Sequence, residues 1–170
     1  MNKMKELRIE KITLNIGAGK DAKKLDKGLK LLEQLSGMKP VKTFSKKRIP
    51  SWNLRPGVPI GCKVTIRKNT AEMLKRLLDA IEYTLEEQQF DAQGNISFGI
   101  HEYIDIPGLK YDPDIGIIGF QACVTFERPG FRIKRRRELK RTPGKKHLIT
   151  KKDAVAYMQS AFKVKIGEDA

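Results

Sequence analysis

The chain has 170 residues, 39% of them hydrophobic, and carries 35 Lys and Arg against 20 Asp and Glu, a formal net charge of +15. That length suits one domain, or one domain with an appendage, burying about 70% of its unfolded surface, which argues against wholesale disorder. No run of about 18 apolar residues occurs, which excludes a transmembrane helix, and the opening MNKMKELRIEKI lacks the apolar stretch of a signal peptide, so a cytosolic protein is expected.

Taken in chain order, residues 8–16 alternate strictly. Ile12, Leu14 and Ile16 face one way and Lys11, Thr13 and Asn15 the other, the period of a half-buried strand. A helix follows with Leu25, Leu29, Leu32 and Leu35 on its inner stripe and Gly37 as its terminator. Residues 41–44 are a short strand, and 45–61 a loop punctuated by Pro50, Pro56, Gly57, Pro59 and Gly61. Cys62, Val64 and Ile66 then alternate with Lys63, Thr65 and Arg67. Asn69 and Glu72 stand at capping-box spacing before a helix whose core stripe is Met73, Leu74, Leu77, Leu78 and Ile81. After a turn at Gln93-Gly94-Asn95, Ile96, Phe98 and Ile100 alternate with Ser97, Gly99 and His101. Phe120, Ala122, Val124 and Phe126 alternate with Gln121, Cys123, Thr125 and Glu127 in the last predicted strand, which Pro129-Gly130 ends. A third helix starts near Thr150, with Asp153 three residues on, turning Ala154, Val155, Met158, Ala161 and Phe162 inward. One-faced strands predict an α+β fold: a mostly antiparallel sheet with helices on one face, the other face open, plus a basic C-terminal extension. Residues 1–127 are expected to form one α+β domain, with 128–170 a basic extension and C-terminal helix packed on it.

Charge is segregated. Residues 34–71 hold nine cations and no acid, and 128–152 hold twelve with only Glu138, whereas 72–127 hold eleven acids against three bases. A field with a direction seeks polyanions on one side, and nucleic acid is the default partner of such a chain. A merely soluble basic protein is the plainer alternative. The outward strand residues Lys11, Thr13, Asn15, Lys63, Thr65, Arg67, Ser97, His101, Gln121 and Thr125 are mostly short hydrogen-bonding groups among cations. Such a surface suits RNA, whose 2′-hydroxyls and phosphates need small donors, small acceptors and positive charge. Thr also favours strands for its own reasons, so the same pattern fits a solvated sheet.

Gly17-Ala18-Gly19-Lys20-Asp21-Ala22 matches a dinucleotide fingerprint between strand and helix. No Asp or Glu follows within 34–71 to hold a ribose, and alternating strands contradict the buried parallel sheet that fold requires. A nucleotide-dependent oxidoreductase is therefore the alternative from another class, and a tight turn the simpler meaning. Asp112-Pro113-Asp114-Ile115-Gly116 lacks the ligands of a calcium loop. Cys62 and Cys123 form no clamp, and two histidines, His101 and His147, assemble neither a triad nor a zinc site. No catalytic residue, metal or cofactor is expected.

The loop 45–61 carries Lys46, Lys47, Arg48 and Arg55 around the only tryptophan, Trp52, which could stack on a nucleotide or fold down to pin the loop. Within 131–137, Arg132, Lys134, Arg135, Arg136 and Arg137 read as an arm that is self-repelling in solution and orders against RNA by gathering phosphates.

The stretches IEKITLNIGAG, LSGMKPVKTFSKKRI, LRPGVPIGCKVTIR, FDAQGNISFGIHEYIDIPGLKYDPDIGI and VTFERPGF resemble the universal large-subunit ribosomal protein number five family, whose members bind 5S rRNA. The short start and the RPGFRIKRRR extension resemble its archaeal branch. The resemblance implies a non-catalytic protein that holds 5S rRNA in the central protuberance through Asn15, Thr43 and Thr65. Lys11, Thr13, Lys42, Lys46, Lys47, Lys63 and Arg67 accompany them. It further implies that the loop 48–57 (Arg48, Ile49, Pro50, Ser51, Trp52, Asn53, Leu54, Arg55, Pro56 and Gly57) reaches P-site tRNA. Contacts to large-subunit rRNA, to other central-protuberance proteins and to a small-subunit head protein across the subunit bridge are implied too, and no membrane. A free RNA chaperone using the same surface is a third reading.

Overall fold

A computed structural model describes residues 2–167; Met1 and positions 168–170 of the expected 128–170 segment lie outside the described residues. In chain order come β1 (Arg8–Gly17), α1 (Ala22–Ser36), β2 (Val41–Phe44), β3 (Pro59–Ile66) and α2 (Thr70–Asp79). Then follow β4 (Thr84–Glu86), β5 (Ile96–Ile100), β6 (Phe120–Glu127), the single turn α3 (Arg132–Arg135), α4 (Lys151–Phe162) and β7 (Lys165–Gly167). Five strands make an antiparallel sheet in the order β2-β3-β1-β6-β5. The fold is α+β, as the alternation predicts. Ile12, Leu14, Val64, Ala122, Val124, Ile96 and Phe98 turn into one core beneath α1, α2 and α4, which contribute Leu31, Leu32, Leu74, Leu77, Ala154 and Met158.

The helix termini explain both the successes and the misses. Asp21 caps α1 by accepting from the Lys23 and Lys24 amides, and Gly37 ends it in the left-handed conformation at φ 64°. The inner stripe differs from the predicted one: Leu31 is fully buried whereas Leu29 is only partly so. The cause is Gly28, where a Cβ would come within 3.1 Å of the Cys62 Sγ. Close approach there rotates the helix so that 25, 28, 31, 32 and 35 face the sheet. The capping box expected at α2 does not form, because Asn69 enters the helix at φ 51° and makes no side-chain cap bond. At α4 the box is present, with Thr150 and Asp153 bonding reciprocally. Its buried face is Ala154, Met158 and Phe162, one position every fourth residue, which leaves Ala161 exposed against expectation.

Three further corrections concern strands. β3 begins at Pro59, ahead of the predicted Cys62, because Phe44 of the edge strand pairs with Pro59 across a register shift. The parallel pair β4–β7 has no signature in the sequence, since three-residue strands are too short to show a period. Glu127 ends β6 on the outward side, yet it is buried, taken up by Arg8 (2.8 Å from Nε) and Arg135 (2.6 Å).

Asp153 also anchors Arg128, itself buried, whose guanidinium donates to Asp153 at 3.0 Å and to the Leu148 carbonyl at 3.1 Å. Burial alone would raise the Asp153 carboxyl, but the Thr150 amide and hydroxyl and the Arg128 charge outweigh it and hold it below its ordinary value. A depressed folded value makes its contribution complete above the ordinary carboxylate value of ~4 and lost as pH falls through the lower one. Asp153→Ala removes half of the capping box and the carboxylate that buried Arg128 donates to, and is therefore expected to cost about 1.5–3 kcal/mol at neutral pH, the usual worth of a hydrogen bond to a charged group, and distinctly less at about pH 3. Urea midpoints at the two pH values measure this; an equal loss at both would contradict the latch.

Candidate nucleic-acid interface

Residues directly opposite in an antiparallel sheet point to the same face, so the registers give a map of the side away from the helices. One row runs Val41, Lys63, Asn15, Gln121, Gly99; the next runs Thr65, Thr13, Cys123, Ser97. Thr43, Gly61 and Gly17 lie beyond the first row, and Lys11 with Thr125 beyond the second. Lys63, Gln121, Ser97 and Gly99 are exposed, and Thr13, Asn15, Thr65 and Thr125 half-buried. Among the described residues, no side-chain hydrogen bond of the protein uses Thr13, Asn15, Lys63, Thr65 or Gln121. Their donors and acceptors stay free for a partner. The face is also low at the end of β1 and on the edge strand β5. A Cβ at Gly17 or Gly99 would meet nothing within 4 Å, so packing does not require glycine there, and the bare backbone admits close approach. Glu127, on this side, is neutralised by Arg8 and Arg135 and does not oppose an anion.

Of the predicted contact residues, Lys11, Thr13, Asn15, Thr43, Lys63 and Thr65 come together on this face. Arg67, just past β3, is exposed at its margin. Lys42 does not join them. It pairs with Cys62 on the helix side and lies 3.9 Å from Asp26 of α1. Lys46 and Lys47 are exposed at the start of the loop.

The loop is a small built structure. Ile49 and Leu54 exchange backbone bonds at 3.0 Å, with a 3-10 turn over Pro50–Trp52 and Asn53 left-handed between them. Ser45 is buried and clamps the base, its hydroxyl donating to the Lys47 carbonyl at 2.7 Å. Leu54 is the residue that folds down, at 3% exposure, while Trp52 stands 67% exposed. The structure thus resolves the choice for Trp52 in favour of an outward ring. Lys20, which the sequence offers only as part of a turn, joins Arg48 and Arg55 around a niche of about 370 Å³ at the loop's base. Its place follows from the Ala18 and Gly19 amides, which both donate to the Ile60 carbonyl and tie the turn to β3. With Asp21 already filling the N-terminus of α1 and no parallel strands in the five-stranded sheet, the dinucleotide reading of 17–22 fails on geometry.

The basic extension is not bare charge. Arg135 pairs with Glu10 and Glu127, Arg136 donates to the Leu139 carbonyl at 2.8 Å, and Phe131 meets the His147 ring edge-on at 5.6 Å. Arg132, Lys134 and Arg137 remain exposed. The thiols are not poised for chemistry: burial pushes Cys62 up to about 11 and also raises Cys123.

Comparison with known proteins finds matches along most of the chain. Residues 2–55 match the family described as ribosomal protein L5, and 59–157 match the model of the same family's C-terminus. The chain is 47% identical over 165 residues to the large ribosomal subunit protein uL5 of Nanoarchaeum equitans, covering 96% of this chain and 97% of that one. It is 48% identical over 166 residues to the protein of the same name from Methanobrevibacter smithii (96% and 97% covered), and 44% over 170 residues to that of Sulfurisphaera tokodaii (99% and 96%).

Proposed function

The chain belongs to the ribosomal L5 protein family, with its archaeal members as relatives, and from that membership we propose that the open sheet face binds 5S rRNA and fastens it in the central protuberance. It is a non-enzymatic structural constituent of the large ribosomal subunit, and rRNA is its partner in translation. One observation carries the finer reading: rows of unpartnered Thr and Asn side chains with Lys11 and Lys63 lie opposite the helices, beside Gly17 and Gly99, where packing does not require glycine. Short polar groups around cations match the 2′-hydroxyls and phosphates of RNA, which a deep cofactor cleft would not. In this reading Thr43, Lys46, Lys47 and Arg67 extend the face along β2 and its loop. Lys42 contributes only field, from the far side. Arg132, Lys134 and Arg137 of the extension meet large-subunit rRNA, with Arg135 and Arg136 holding the extension in shape. The loop 48–57 offers Trp52, Arg48 and Arg55 to P-site tRNA. Neighbouring proteins of the protuberance and a small-subunit head protein across the bridge complete the proposed partners.

The double variant Asn15→Ala, Thr65→Ala is expected to weaken 5S rRNA binding roughly tenfold or more, two lost hydrogen bonds at about 0.5–1.5 kcal/mol each, with its unfolding midpoint unchanged. Removing the tip between Ile49 and Leu54 should leave 5S binding intact and disturb the tRNA footprint on a programmed ribosome. Unchanged affinity in the double variant counts against the sheet as platform; an unaffected tRNA footprint counts against the loop.

A further inference from the structure

Where the extension crosses the end of the open face it encloses a cavity of about 500 Å³, within the ~300–1,000 Å³ range of sites that hold small organic groups. Its floor includes Lys11 and Thr125, a polar pair near the end of the sheet. One wall is the turn that carries the amides of Gln93 and Asn95. The extension supplies an apolar wall from Phe131, Pro143 and Leu148, with Lys134 and Lys145 beside it. Three chemistries are combined here: an aromatic and aliphatic surface, side-chain amides and unpaired cations. A phosphate alone has no use for the apolar wall, and an apolar ligand alone has none for the lysines.

We propose that this cavity receives one nucleobase splayed out of the bound RNA, its flanking phosphates held by Lys11 and Lys145. The proposal rests on the reading that the sheet face binds 5S rRNA, and it adds a sequence-selective subsite to a surface that otherwise reads only shape. Proteins recognise RNA sequence chiefly at unstacked bases, laid on aromatic side chains and hydrogen-bonded along their edges. The Asn95 amide nitrogen donates one N–H to Asp91 at 3.4 Å, which fixes the amide and leaves its oxygen and its second N–H for a ligand. The oxygen favours a base with an exocyclic amine, adenine, cytosine or guanine, over uracil. Arg135 lines the cavity too, but Glu10 and Glu127 neutralise it, so it serves as wall and leaves the lysines to attract the phosphates.

The test is an abasic scan of 5S rRNA, removing one unpaired base at a time, against the wild-type protein and two variants. One variant, Thr125→Phe, fills the cavity from its floor. The other, Gln93→Ala, alters an exposed turn residue and keeps the test decisive if the first does not fold. For wild type, one A, C or G position is expected to cost roughly 5- to 150-fold in affinity, the usual worth of a stacked base. For Thr125→Phe the intact RNA should bind more weakly by a similar factor, and that position should no longer matter. Gln93→Ala should lose part of the same sensitivity. Identical abasic profiles in all three proteins, with tight binding retained, overturn the cavity and leave the sheet reading standing. Failure of the wild type to bind 5S rRNA at all overturns both.

Discussion

Raising monovalent salt from about 50 to 200 mM is expected to weaken RNA binding roughly 10³–10⁵-fold, as the neutralisation of about eight phosphates requires. The number of available cations decides the size of this effect. Lys63, Arg67, Lys46, Lys47, Arg48 and Arg55 are exposed on or beside the open face, and Lys134 and Arg137 on the extension. Lys42, Arg128 and Arg135 are already engaged with Asp26, Asp153 and the Glu10–Glu127 pair, and contribute less. Eight free cations give a slope of about −6 to −7 in log affinity against log salt, each contact contributing roughly 0.7 to 0.9. A slope shallower than about −3 would mean that most of these charges face solvent in the complex, and that the charge segregation serves solubility instead.

The second large effect separates the two faces of one strand. Leu14 and Thr13 are neighbours on β1, the central strand, yet Leu14 is fully buried and Thr13 lies half-buried on the open side. Leu14→Ala should destabilise the fold by about 2–5 kcal/mol through lost burial and an unfilled cavity, a fall in Tm of roughly 5–20 °C for a chain of this size. Thr13→Ala should leave the Tm within about 2 °C, since surface changes stay within roughly 0.5 kcal/mol, and should reduce RNA affinity instead. Thermal unfolding and a gel shift on the two variants read this directly. A large Tm loss in Thr13→Ala would place that side chain under protein.

The face itself was legible because a strand writes its two sides alternately into the sequence. The registers then added which strands neighbour which, and no single strand holds that information. Asn15 and Lys63 are 48 positions apart and meet only through the β1–β3 pairing. Lys42 shows the limit of composition: its charge reads like that of Lys63, but its register sends it to the helix side. Leu54 was missed as the loop's anchor because one leucine among prolines and cations has no period to reveal it. The extension read as repelling charge because its partners, Glu10 and Glu127, sit 125 and 8 residues from Arg135. Gly28 has no side chain to announce that it faces the sheet, and so the expected stripe of α1 is right at Leu25, Leu32 and Leu35 but takes Leu29 in place of Gly28 and Leu31.

The central claim is that position on the open face, not net charge, governs RNA binding. Lys63→Glu and Lys30→Glu change the chain's charge equally, but Lys30 lies on α1, on the covered side, 3.8 Å from Asp114. Measured side by side against 5S rRNA, Lys63→Glu should weaken binding roughly tenfold or more and lower the salt slope by about one, while Lys30→Glu leaves both unchanged. Equal losses from the two substitutions, or none from Lys63→Glu, would contradict the account.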